Sequence, residues 1–322
     1  MKLNEITIEV TQQCPNHCIY CSSFSDIEKG HCLDYEIICN VVDAAKELGA
    51  KCVSLSGGEP FLRNDIVNIV EYIHSKGLEL RLYSSGIYFT EKYFSSIPLS
   101  LLRAIRGLVD RLIINYETVD SELYSTIMGT ISSNINLLDE TVRNAVAEGI
   151  QVEAHFVPMR CNYSQLPDVL DKLYSMGVVN VSLLRLVPQG RVSENVESIL
   201  LNDNDQNELK RIIAECKENY GRKIRIGLPF CSKRYNCGTA TAKLTVRYDG
   251  YVFPCEAFKD GMMYVVKDVI PDNVRERSLI DIYENSLYLE RLRSGLKLFE
   301  KAKSTETCFG QYCRAQNHNV LI

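Results

Sequence analysis

From residue 5 to about residue 187 the chain alternates short β-branched runs with amphipathic stretches, and this alternation restricts the fold more than any other feature. The strand runs are Glu5 to Val10, Lys51 to Leu55, Leu78 to Tyr83, Arg111 to Asn115, Gln151 to Val157 and Val179 to Leu186. Between them Ile66, Ile69, Val70 and Ile73 recur at helical spacing with Gly77 as a stop, and Ile131, Ile135, Leu138, Val142 and Val146 do the same ahead of Gly149. Strands joined by helix-length connections pair in parallel, so the order predicts an α/β fold with crossover helices outside the sheet. Six such units fit an incomplete (β/α)6 barrel, whose functional residues sit on loops after the carboxyl ends of the strands.

The length of 322 residues allows one large domain, or one with an appendage. Apolar residues make up 46 %, but no apolar run approaches the roughly 20 residues of a membrane helix, so no membrane partner is expected. A net charge of −5 gives no basic footprint, which argues against nucleic acid as a partner. Thirteen cysteines, an odd number, exclude a complete disulfide framework. The first strand begins almost at Met1 with no signal peptide ahead of it, and a reducing cytoplasm is the expected setting.

Directly after the first strand run comes CysProAsnHisCysIleTyrCys, which places Cys14, Cys18 and Cys21 on one short loop at the functional end of the barrel. Thiolates are soft ligands, and three of them can hold three irons of a 4Fe-4S cluster. With no fourth cysteine nearby, the last iron stays open to a small ligand, whereas four thiolates would make a closed site. Ordinary buried thiols or a zinc site are the competing readings. The second strand run leads straight into Ser56, Gly57, Gly58, Glu59 and Pro60, a turn in which two glycines let a backbone approach a ligand and a carboxylate can accept from an ammonium group.

The cysteine run, with Tyr20 just before its last cysteine, resembles the cluster-binding signature of the radical S-adenosylmethionine (SAM) superfamily. The resemblance implies that Gly57, Gly58 and Glu59 bind the amino group of the methionine moiety. Later loops match more weakly. Ser84, Ser85 and Gly86 stand where the family often has ThrAsnGly, and the asparagine is absent. Glu117 is the candidate for the cofactor ribose. Val152 resembles the apolar position that packs on adenine and equally suits the core. Arg185 could fork onto the cofactor carboxylate or face solvent.

After residue 220 the alternation stops and the chain becomes cysteine-rich. Lys243 to Arg247 and Tyr251 to Phe253 read as a hairpin across Asp249 and Gly250, with Cys237 before it and Cys255 after it. Together with ProCys at 254 and 255 and the late pair Cys308 and Cys313, this resembles the twitch domain, a shortened form of the SPASM domain. The chain thus divides into a barrel over residues 1–220 and a small α+β domain over residues 221–322. The resemblance implies one auxiliary 4Fe-4S cluster on Cys237, Cys255, Cys308 and Cys313, with Cys231 able to replace Cys237 and structural zinc as the competing occupant. Cys32, Cys39, Cys52, Cys161 and Cys216 read as core thiols.

The resemblance further implies that SAM is cleaved reductively to a 5′-deoxyadenosyl radical, with an electron supplied by a donor such as flavodoxin or ferredoxin. A hydrogen atom is then taken from a substrate. Oxidative modification of a peptide or protein side chain is the leading expectation, and a leader-binding partner would then be a separate protein. Dehydrogenation of a small polar metabolite, rearrangement of a nucleotide, and an electron carrier without SAM chemistry are the alternatives.

Overall fold

The computed structural model describes residues 2–90, 92–184, 186, 189–194, 196–227, 238–259 and 269–301. Arg185, Cys231, Cys237, Cys308 and Cys313 lie outside them. The strands are β1 (Glu5–Thr11), β2 (Cys52–Gly57), β3 (Glu79–Ser84), β4 (Ile87–Phe89), β5 (Phe94–Ser96), β6 (Arg111–Asn115), β7 (Val152–Phe156), β8 (Asn180–Leu184), β9 (Ile224–Gly227), β10 (Lys243–Val246) and β11 (Val252–Phe253). Nine of them form one sheet in the order β11-β10-β1-β2-β3-β6-β7-β8-β9, while β4 and β5 pair as a separate hairpin. Every pairing in the large sheet is parallel except β10 with β11. The six expected strands are β1, β2, β3, β6, β7 and β8, the partial barrel anticipated from the alternation.

The connecting helices are α1 (Tyr35–Glu47), α2 (Ile66–Ser75), α3 (Leu99–Ile105), α4 (Ser121–Met128), α5 (Asn134–Ala147), α6 (Leu166–Ser175), α7 (Val196–Ile199) and α8 (Asp203–Tyr220), followed by α9 (Leu279–Asn285) and α10 (Leu287–Lys301). The stripe on α2 is buried as expected, and Gly77 ends that helix at φ +67°. The α5 stripe is shorter than its spacing suggested. Helix α5 starts at Asn134, whose Nδ2 donates to Thr130 Oγ1 at 2.8 Å, and Ile131 precedes it, 53 % exposed. Among the described residues, no helix is long and apolar enough to cross a membrane.

Because successive strand side chains face opposite sides, the barrel strands carry an apolar outer row and a mostly polar inner row, with Ile113 and Leu184 as apolar members of the inner one. Ile6, Ile8, Val53, Leu55, Leu80, Leu82, Leu112 and Ile114 are fully buried in the layer shared with the helices. At the amino-terminal end of the inner face, Glu5 pairs with Arg81 at 3.5 Å and Lys243 at 3.0 Å, and Glu153 with Arg111 at 3.0 Å and Arg225 at 3.1 Å. The segment after residue 220 supplies both flanks of the sheet: β9 lies beside β8, and β10 beside β1. This second pairing carries Cys255, just past β11, to the mouth of the barrel.

Candidate active site

The cysteine loop is held from two sides. Helix α4 is capped at its start by Asp120, which accepts from the Leu123 N–H at 2.7 Å, and at its end by Gly129 at φ +58°. Its last carbonyls, Ile127 and Met128, accept from the N–H groups of Ile19 and His17, each at 2.9 Å. Cys14 N–H donates to the Asp26 carbonyl at 3.0 Å, and Cys21 N–H to the Cys18 carbonyl at 3.1 Å. On the other side the buried Arg191 donates from Nε to the Cys18 carbonyl at 2.7 Å and from Nη2 to the Ser25 carbonyl at 2.6 Å. Gly190, at φ +61°, lies so close beneath the loop that a Cβ there would collide with the Cys21 carbonyl.

A cavity of about 590 Å3 opens above the carboxyl ends of the strands. Cys14, Cys18, Cys21 and Tyr20 form one wall, Gly57, Gly58 and Ser85 the next, and Cys255, Glu256 and Lys259 stand on the carboxy-terminal side. Burial pushes the Cys14 thiol well above its ordinary range, and the neighbouring Cys18, Glu59 and Cys21 push it further. Burial raises Cys18 likewise, as does Cys21, while the Arg191 guanidinium pulls it down. Three thiolates crowded together in a low dielectric need positive charge among them, which the irons of a 4Fe-4S cluster provide. Among the described residues, no three His, Cys, Asp or Glu side chains converge on a single metal ion. A cluster instead offers each thiolate its own iron. The donor set therefore fits the cluster.

The other predicted residues divide into those that face the cavity and those that do not. Tyr20 faces it, and its hydroxyl accepts from Asn115 Nδ2 at 3.1 Å. Gly57 and Gly58 present backbone to it, and their missing side chains have a second cause: a Cβ would strike the Thr11 carbonyl at Gly57 and the Gln13 carbonyl at Gly58. The turn packs directly on the cysteine loop, with Gly58 N–H donating to Thr11 at 2.7 Å and Glu59 N–H to Gln13 at 2.8 Å. Glu59 itself does not line the cavity. Its fully buried carboxyl accepts from the Ser84 hydroxyl, the Ser85 hydroxyl and N–H, and the Phe61 N–H, while burial pushes its pKa up to about 7. Ser85 lines the cavity with both its donors engaged by Glu59. Glu117 is buried behind the wall, accepts from the Val157 N–H at 2.7 Å, and is pushed up to about 8 by burial. Val152 lies in the core, whereas Val157, an odd number of residues along, faces the cavity. Cys216 is buried in the core as expected, but Cys52 is buried on the polar inner face of β2 beside Arg81 and Ser54, Cys39 is only half-buried, and Cys32 and Cys161 are exposed, because both sit on loops outside the apolar stripes.

Several cavity residues had no motif to announce them. Thr7 donates its hydroxyl to Glu256, joining β1 to the residue after Cys255. His155 meets Tyr83 edge to face at 5.4 Å, and burial lowers its pKa to about 4, so the imidazole is neutral at pH 7. The available signal was the polar row Glu5, Thr7 and Glu9, alternating with Ile6, Ile8 and Val10.

The chain matches the sequence profile of the radical SAM superfamily over residues 8–173 and that of the SPASM iron-sulfur cluster-binding domain over residues 237–314. It is 24 % identical over 282 residues to a probable GTP 3′,8-cyclase of Methanococcus maripaludis, covering 82 % of this chain and 89 % of that protein. It is 25 % identical over 303 residues to the PqqA peptide cyclase of Gluconobacter oxydans, covering 92 % and 81 %. In fold it is similar to SuiB of Streptococcus suis bound to S-adenosylmethionine, with TM-score 0.73, 17 % identity, and coverage of 91 % of this chain and 68 % of SuiB. The anSMEcpe structure with bound AdoMet follows at TM-score 0.66 and 14 % identity, covering 88 % and 80 %. The superfamily profile spans more than half of the chain, and with the three-thiol loop at the mouth of a partial barrel it makes this protein a member of the radical SAM superfamily with a carboxy-terminal SPASM iron-sulfur domain.

Proposed function

We propose that this radical SAM enzyme oxidises a peptide or protein side chain inside the cavity, acting as an oxidoreductase of the maturase type in the cytoplasm. Its cofactors are SAM and 4Fe-4S clusters. Cys14, Cys18 and Cys21 hold the SAM-binding cluster. Cys255, with Cys237, Cys308 and Cys313, holds one auxiliary cluster in a domain that begins near residue 221. When bound, SAM and the first cluster supply a 5′-deoxyadenosyl radical able to abstract a hydrogen atom, with the electron drawn from a donor such as flavodoxin or ferredoxin.

The chain's own residues orient the reactants and keep water away. The Gly57 and Gly58 backbone, which lines the cavity, would meet the cofactor's amino group, while Glu59 supports that turn from behind through Ser84 and Ser85. Asn115 and Tyr20 present polar edges to the cavity that would suit the cofactor's ribose, and Val157, Leu184 and Leu186 give the cavity an apolar flank. Tyr83, neutral His155 and the Thr7–Glu256 pair face the substrate, with Arg185 beyond the described residues retained as a candidate for the cofactor carboxylate.

The observation that carries the substrate class is the pairing of the cavity's cations. Lys243 is bound to Glu5 at 3.0 Å, Lys259 to Glu9, and Arg191 to two loop carbonyls. A nucleoside triphosphate brings several negative charges that would need cations free to meet them. These three described cations are already engaged, so a neutral peptide segment suits the cavity better. The similarity to SuiB, also solved with its precursor peptide SuiA, supports this reading. The test is anaerobic incubation of the reconstituted enzyme with SAM, reductant and either GTP or peptides encoded beside its gene. Mass spectrometry should show a dehydrogenated or cross-linked peptide. Turnover of GTP with every such peptide unchanged would overturn the proposal.

A further inference from the structure

A buried ion pair next to the cysteine loop, counted above only as an engaged cation, stands close enough to that loop to act on it. Glu9, on the inner row of β1, is fully buried, and its Oε1 accepts from Ser23 Oγ at 2.7 Å and from Lys259 Nζ. Ser23 stands two residues after Cys21, and Lys259 stands four after Cys255. The Lys259 side chain is 9 % exposed and shares the cavity wall with Cys21. Its backbone is fixed by Arg247, whose Nη1 donates to the Lys259 carbonyl at 2.6 Å, and the loop backbone by Gln12, whose Nε2 donates to the Ser23 carbonyl at 3.0 Å. The pair therefore bridges the loop of the first three thiols and the segment that carries Cys255.

Taking a lysine and a glutamate out of water carries a large desolvation penalty that packing alone would not require. In so dry a place a charge acts over several ångströms with little screening. Reduction potentials of iron-sulfur clusters follow the local charge and the hydrogen bonds around them. We infer that Glu9 and Lys259 set the reduction potential of the cluster on Cys14, Cys18 and Cys21, the ammonium favouring the reduced state and the carboxylate moderating it. The Ser23 hydroxyl ties the pair to the loop. This rests on the assignment of the three cysteines to that cluster.

The test is a redox titration of the reconstituted holoenzyme, followed by electron paramagnetic resonance on the signal that SAM perturbs. Lys259→Met should move the potential down and Glu9→Gln should move it up, while Lys259→Arg stays near wild type. A purely structural role would lower iron content without this opposition of sign. Potentials that are unchanged, or that move in the same direction in both variants at equal iron content, would overturn the inference. Should Lys259→Met fail to retain a cluster, an upward shift in Glu9→Gln with Lys259→Arg at the wild-type potential supports the inference, and Glu9→Gln at or below the wild-type potential overturns it. A wild-type protein that shows no SAM-perturbed signal would instead refute the cysteine assignment.

Discussion

Replacing Arg191 with methionine separates the support of the cysteine loop from its chemistry. The guanidinium is buried and donates to the Cys18 and Ser25 carbonyls at 2.7 and 2.6 Å, and its charge lowers the Cys18 thiol pKa. Hydrogen bonds from a charged donor contribute about 1.5–3 kcal/mol each. Methionine keeps much of the apolar stem but leaves both carbonyls without these donors. The expected loss is about 3–6 kcal/mol, a large part of the roughly 5–15 kcal/mol that stabilises a typical domain. Most of it should appear locally, because the contacts of Ile19 and His17 with α4 remain. Urea unfolding would measure the loss. Without the guanidinium the Cys18 thiol ionises less readily, so iron per chain after anaerobic reconstitution should fall well below wild type and recover partly as pH is raised. Arg191→Lys, able to reach one carbonyl, should lie between. Wild-type iron content together with an unchanged urea midpoint in Arg191→Met would refute the reasoning.

Three further outcomes follow from the same geometry. Glu59 and Glu117 have pKa values raised by burial to about 7 and about 8, so the folded apo-protein holds protons that the unfolded chain has already released. Their contribution to stability should therefore fall as pH rises from about 4.5 through about 8, by on the order of 3 kcal/mol for Glu59 alone, against the opposite contribution of His155 below about 6.5; Glu59→Gln should remove its share of that fall in urea titrations at several pH values, and a pH dependence identical to wild type would count against it. Gly58→Ala drives a Cβ into the Gln13 carbonyl and should cost about 1–3 kcal/mol or more and reduce cluster loading, whereas Gly30→Ala, with nothing within 4 Å, should leave both unchanged. Cys255→Ala should keep the first cluster, lower iron content and abolish the modified product; full product formation would remove the auxiliary cluster from the reaction.

The six barrel strands and the late hairpin were legible in the sequence to within a residue or two, because β-branched runs bounded by glycine leave few other choices for a parallel sheet, whereas the short β4, β5 and β9 were not read. Element ends were less so: Ile131 continues the apolar spacing of α5, but the helix starts only at Asn134. The cysteine loop and the glycine turn were visible because their residues are contiguous. The direction of Glu59 was not, since its partners Ser84 and Ser85 arrive with the next strand. Val152 and Val157 are equally apolar, and only strand parity with a known inner face separates them. The bonds of Arg191 to Cys18 and Lys259 to Glu9 span 173 and 250 residues, a separation across which local pattern carries no information. The polar inner row of β1 was present in the letters, but naming it the inner face required the barrel.

The proposed chemistry depends above all on Cys14, Cys18 and Cys21 holding the cluster at which SAM is cleaved. Its most direct test is 5′-deoxyadenosine formation by the anaerobically reconstituted protein with SAM and reductant, alongside a variant with all three cysteines changed to alanine. The wild type should form 5′-deoxyadenosine and the variant none, although the variant should still bind iron at its carboxy-terminal site. No cleavage by an iron-replete wild type, or undiminished cleavage by the variant, would contradict it.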